Sequence, residues 1–82
     1  MEMATNKKRL RWACRRGMLE LDIILNGFLD EGYDDLTPRE QQLFCELLKN
    51  EDDQLFRWFM GHVPCQDQHL KTLIQRIVKG SL

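Results

Sequence analysis

The chain has no paired-cysteine spacing, no glycine cluster and no long apolar run. Its three cysteines, Cys14, Cys45 and Cys65, are odd in number and widely separated. They form no CxxC pair, so they read as reduced thiols packed as small hydrophobes rather than as a disulfide framework or a redox dithiol. The five glycines are scattered, and none builds a phosphate-cradling loop. No apolar run approaches the ~18 residues of a membrane span. The first residues are polar and lack the apolar region of a signal peptide, so the basic start is expected to belong to the fold. No stretch sustains a period of two, which removes the strand signal. Repeats and low-complexity tracts are also missing.

What is present fits one small helical domain over residues 1–82, with residues 1–5 expected to be flexible. Hydrophobic residues make up 43% and charged residues 30%, a globular balance rather than a disordered one. A domain of this size buries only ~60% of the surface its unfolded chain exposes, which leaves a thin stability margin and little room for a deep active site. The net charge of −1 hides an asymmetry. Residues 1–16 carry six basic side chains and one acid, net +5, whereas residues 17–82 carry six basic and twelve acidic groups, net −6. Such a dipolar surface steers charged partners.

Five helical segments are expected, joined by short connections that favour packed neighbours. The first runs from about Asn6 to Arg15 and is interrupted by Gly17. The second runs from about Met18 to Asp30. Its residues Leu21, Ile24, Leu25 and Phe28 follow the i, i+3, i+4, i+7 spacing of one helical face, widened by Met18 and Leu29. Gly32 closes it. In Thr37-Pro38-Arg39-Glu40, Thr, Pro and Glu stand where a capping box starts a third helix, with Leu43, Phe44, Leu47 and Leu48 inward. Asn50 is expected to cap a fourth, with Glu51, Asp52 and Asp53 in its first turn. Leu55, Phe56, Phe59 and Met60 would pack inward, Trp58 would lie on the flank, and Gly61 would end the helix. The fifth runs from about Asp67 to Lys79 on Leu70, Leu73, Ile74, Ile77 and Val78.

Little catalytic chemistry is on offer. His62, Cys65 and His69 lie close together across Pro64, but they match no common zinc finger and lack a fourth ligand, so no metal is expected. Cys65 with either histidine could form a nucleophile pair, yet nothing supplies a third orienting group or an oxyanion site. The carboxylate pairs Asp34-Asp35 and Asp52-Asp53 read as turn and cap residues. No catalytic residue is assigned, and the chain is not expected to be an enzyme. The basic first segment with Trp12 keeps a nucleic-acid-binding or antitoxin-type regulatory module open as the alternative. The helix after Gly17 carries Glu20, Asp22, Asp30 and Glu31, which suit phosphate poorly, so no nucleic acid is expected.

The octet Arg15-Arg16-Gly17-Met18-Leu19-Glu20-Leu21-Asp22 concentrates what is left. It sets two arginines, a glycine and two carboxylates at the junction of two helices. Glycine there permits close backbone approach and φ angles closed to other residues. Arginine offers a planar fork of donors. One reading is local: Arg15 or Arg16 ties to Glu20 or Asp22 across the kink. The other is a protein-docking surface, with Trp12 as an amphipathic anchor.

The segment from Arg11 through Asp22 resembles the signature of the FAD assembly factor SdhE family, the succinate dehydrogenase flavinylation factors, some of which are called antitoxin CptB. The family motif Arg-Gly-x-x-Glu is met by Arg16, Gly17 and Glu20. Phe28, the Leu36…Glu40…Phe44 spacing, Leu47-Leu48, Asp53-Gln54-Leu55-Phe56, Trp58 and Gly61 are also family-like, so the resemblance spans roughly residues 8 to 79. It implies an all-α, compact five-helix bundle and a small soluble assembly factor rather than an enzyme, and the unpaired thiols make a cytoplasmic location the expectation. It implies binding to the flavoprotein subunit of succinate dehydrogenase, of fumarate reductase, or of both, and covalent attachment of FAD to a histidine of that subunit. The factor itself would hold no cofactor stably, FAD being handled through the partner. Arg16 and Glu20 would make the polar contacts, and Gly17 would allow close approach, where any side chain should clash. Arg15, Arg11, Trp12 and Asp22 would rim the patch. A monomer is expected, with a dimer through the exposed patch as the alternative.

Overall fold

The computed structural model describes residues 7–80, and each helix in it has a local cause. The helices are α1 (Lys7–Ala13), α2 (Leu19–Glu31), α3 (Pro38–Leu48), α4 (Asp52–Phe59) and α5 (Gln68–Gly80). There is no strand among the described residues. α1 closes at Ala13 rather than at Arg15. The Cys14 N–H still reaches the Leu10 carbonyl at 2.9 Å, but the Arg15 N–H turns to Trp12 at 3.1 Å. That i→i−3 bond tightens and ends the helix. The expected start at Asn6 and the flexibility of residues 1–5 fall outside the described residues.

α2 starts one residue later than expected, because Met18 is extended at φ −93° and ψ 119°. Glu20 and Asp22 lie in its first turn, where negative charge complements the helix dipole. Gly32 does close α2, but in the right-handed region at φ −119°. Its use is steric: a Cβ there would come within 2.6 Å of the Phe28 ring. The chain then makes an unanticipated 3₁₀ turn, Tyr33–Asp35, that seats Tyr33 in the core.

α3 begins with the expected capping box. Thr37 Oγ1 accepts from the Glu40 N–H at 3.2 Å, and Glu40 Oε1 accepts from the Thr37 N–H at 2.9 Å, with Pro38 in the first turn. That backbone hydrogen bond holds the Glu40 carboxyl below its ordinary range. Asn50 does not cap α4. Its amide donates to the Leu47 carbonyl at 3.1 Å and so closes α3, while extended Glu51 precedes α4. The four free carbonyls ending α3 compete for the same side chain, and they win. α4 ends in a Schellman motif: His62 N–H bonds the Arg57 carbonyl at 2.8 Å, Gly61 N–H bonds Trp58 at 3.2 Å, and Gly61 sits at φ 74°. Met60 is the capping residue of that turn and is 42% exposed, not inward. Asp67 starts α5 by accepting from the His69 and Leu70 N–H groups at 2.9 and 3.1 Å.

α5 packs across α2, α3 and α4, and α1 lies on α2. The centre is made of Leu10, Leu21, Leu25, Leu29, Phe44, Leu47, Leu55 and Ile77, all fully buried. Phe28 and Tyr33 flank Phe44 with ring centroids 5.6 Å away in each case, tilted pairs worth ~0.5–1.5 kcal/mol beyond burial. Cys14 and Cys45 are free and buried in this core. Burial pushes the Cys14 thiol up to about 11, which leaves it unreactive near neutral pH.

Candidate functional site

The α1–α2 junction, residues 14–18, crosses the end of α3 and the start of α4. Arg16 holds it there. Its Nη2 donates to the Leu48 carbonyl. Its Nη1 donates to the Asn50 carbonyl at 3.1 Å and to Asp52 Oδ1 at 3.2 Å. The side chain is only 12% exposed and that of Asp52 29%. The guanidinium fork thus satisfies C-terminal carbonyls of α3 and pairs with a first-turn acid of α4. Its Nε is buried with no hydrogen-bond partner among the described residues, a cost of ~1–3 kcal/mol that the three other bonds offset. Arg16 is therefore a clamp between two helix junctions, with both of its Nη atoms bonded inside the molecule.

Asp22 and Arg11 also turn inward. Asp22 Oδ2 accepts from the Arg16 backbone N–H at 3.2 Å, and its Oδ1 accepts from Asn26 Nδ2 at 3.1 Å. Asn26 Nδ2 also donates to the Cys14 carbonyl at 3.3 Å, and its Oδ1 accepts from Arg11 Nη1 at 2.9 Å. Arg11 further pairs with Asp30. That hydrogen bond raises the arginine's pKa and lowers the aspartate's. Asn26 is the hub of this network and went unnoticed in the sequence, where a lone asparagine in an apolar helix carries no signal. The expected tie from an arginine side chain to Glu20 or Asp22 does not form; Asp22 takes the Arg16 backbone instead.

Four of the seven expected site residues face outward. Trp12 is 71% exposed, and the Arg15 guanidinium lies over its ring at 5.0 Å, a cation–π contact worth ~0.5–1 kcal/mol at an exposed site. Gly17 and Glu20 are exposed. Glu20 has no ion-pair partner among the described residues. Gly17 does not use a left-handed φ, since Gly61 is the only positive-φ glycine described. A Cβ at Gly17 would meet only Asp52 Oδ2, at an ordinary 3.8 Å. The φ argument for this glycine is thereby corrected, and within the chain itself a small side chain does not clash.

Two apolar residues missed in the sequence are also exposed. Leu19 is 68% exposed and Ile23 61%. Their four-residue step, off the buried stripe, was the available signal. The basic end is less free than its composition suggests. Lys7 pairs with Asp34 at 3.0 Å, Arg11 with Asp30, and Arg16 with Asp52, so half of its six cations already face carboxylates. Among the described residues, no three His, Cys, Asp or Glu side chains gather as a metal site, and no helix is long and apolar enough to cross a membrane. The junction thus presents an exposed aromatic ring, a glycine with open space beside it and a carboxylate with no ion-pair partner among the described residues.

Comparison with known proteins gives this surface a context. The family model described as flavinator of succinate dehydrogenase matches residues 8–80. The FAD assembly factor SdhE of Colwellia psychrerythraea is 51% identical over 77 residues, covering 94% of this chain and 85% of that protein. The FAD assembly factor SdhE of Vibrio cholerae is 45% identical over 82 residues, covering 100% of this chain and 95% of that protein. The solution structure of a UPF0350 protein has a TM-score of 0.79 at 46% identity, covering 96% of this chain and 84% of that one.

Proposed function

This chain belongs to the flavinator of succinate dehydrogenase family of FAD assembly factors, and on that premise we propose that it docks on the flavoprotein subunit of succinate dehydrogenase and promotes covalent attachment of FAD to a histidine there. The flavoprotein subunit of fumarate reductase is a second client of the same chemistry. The site of action is the cytoplasm. One observation carries the docking reading: the outward face of the α1–α2 junction leaves apolar side chains and a carboxylate without an ion-pair partner in solvent. Gly17 has room for a Cβ, Glu20 is exposed, and Trp12 and Leu19 stand in solvent.

The bond-forming chemistry belongs to the flavoprotein and its cofactor. The factor contributes orientation. It binds more tightly to the state in which histidine and FAD are aligned, and it shifts the population toward that state. Equal affinity for both states would shift nothing. In this reading Glu20 accepts hydrogen bonds from the partner, Gly17 lets the partner's chain approach, and Trp12 with Arg15 anchors the rim. Arg16, Asp22 and Arg11 act from behind by fixing the junction. The test is covalent flavin on the succinate dehydrogenase flavoprotein, read by in-gel fluorescence, without this chain, with it, and with Gly17→Arg. A band that needs the wild-type chain and disappears with the folded variant supports the proposal. Equal bands in all three lanes refute it.

A further inference from the structure

α2 is apolar on two sides. Leu21, Leu25 and Leu29 face the core. Leu19, Ile23 and Gly27 repeat at the same four-residue step on the opposite side. Beside Gly27 the surface between α2 and α5 opens into a groove of about 470 Å³, lined by Ile24, Gly27, Phe28 and Ile77, with Glu31 and Asp35 among its polar residues. That volume accepts a large side chain. A Cβ built on Gly27 meets nothing within 4 Å. Glycine inside a helix is destabilising relative to alanine, and no neighbour in the free fold demands it here. What it does is keep the groove wide.

The border of the groove is acidic. Glu31 and Asp35 have no cationic partner among the described residues, and the one cation lining it, Arg76, is held by Glu40 at 3.5 Å. Glu20 lies seven residues before Gly27, two helical turns along the same stripe of α2. An apolar slot with unpaired carboxylates complements an apolar side chain carried between basic residues.

We propose that this groove is a second contact for the flavoprotein, receiving an apolar side chain from a basic segment of that partner while Gly17 and Glu20 make the first. The inference rests on the docking reading above. Its test titrates purified flavoprotein subunit with the wild-type chain, Gly27→Trp, Gly27→Ala, Ile23→Asp and Glu20→Ala, with thermal melts of each. Filling the groove in Gly27→Trp should weaken binding about ten-fold or more, as loss of a buried interface anchor does. Ile23→Asp, on the exposed ridge, should weaken it as well. Gly27→Ala should melt no lower and bind more weakly than wild type but more tightly than Gly27→Trp. Rising salt should weaken wild-type binding more than that of a Glu31→Gln, Asp35→Asn double variant. Wild-type affinity in Gly27→Trp and Ile23→Asp alongside a loss in Glu20→Ala would overturn the groove and leave docking standing. Wild-type affinity in all variants would overturn both. Equal salt dependence in the double variant would overturn the basic partner. A wild-type dimer in solution that Gly27→Trp abolishes would assign the groove to a second copy of this chain and overturn the proposal.

Discussion

Arg16 and Glu20 stand four residues apart in one motif, and the fold treats them in opposite ways. Arg16 is nearly buried and its Nη atoms donate to Leu48, Asn50 and Asp52, up to 36 residues away. Glu20 stands in solvent with no ion-pair partner among the described residues. The same split separates Asp22 and Arg11, held in the network around Asn26, from Trp12, Arg15 and Gly17 on the outside. A short motif can thus combine a clamp that shapes a surface with the groups that the surface presents. If the outward groups dock the partner, losing either kind should cost function, but only losing the first kind should cost stability.

Arg16→Ala should give the largest stability effect. It strips hydrogen bonds from two helix-end carbonyls and strands Asp52, a loss of about 2–4 kcal/mol. For a domain of this size that lowers the melting temperature by more than about 10 °C, read by circular dichroism. A melt within a few degrees of wild type would show that the clamp is dispensable.

The two glycines that flank α2 sharpen the contrast. Gly32→Ala drives a methyl into the packed Phe28 ring and should cost about 1–3 kcal/mol in urea unfolding. Gly17→Ala meets only open contact and should stay within about 0.5 kcal/mol of wild type. Similar losses at both positions would break the distinction between a glycine the fold needs and one that it does not.

A smaller effect is expected at high pH. Burial raises Tyr33 to about 12 and Cys14 to about 11, from ordinary values of 10.0 and 9.0. A pKa raised on folding favours the folded state below the unfolded value, and the advantage is lost as pH rises through the folded one. Urea midpoints should therefore hold up to about pH 9 and fall between about pH 9 and 12. A thiol reagent at neutral pH should label Cys65, which is partly exposed, well before buried Cys14.

Local rules were legible in the sequence, and long-range choices were not. The capping box at Thr37 and the end of α4 at Gly61 depend on residues within one turn, so spacing alone found them. Asn50 was misplaced because two helix ends compete for it, and only packing decides between them. The inward turn of Arg16 could not be read at all, since its partners lie more than thirty residues on. Leu19 and Ile23 were passed over because α2 is apolar enough that a second stripe, on the side opposite the core, does not stand out from the first.

The most direct measurement is covalent flavin on the succinate dehydrogenase flavoprotein in the presence of Glu20→Ala, at a concentration where its melting curve overlays that of wild type. Removing one exposed carboxylate should leave stability within about 0.5 kcal/mol. The account predicts that flavin attachment falls to the level seen without the chain. Attachment at the wild-type level would mean that the outward half of the motif is not the docking surface.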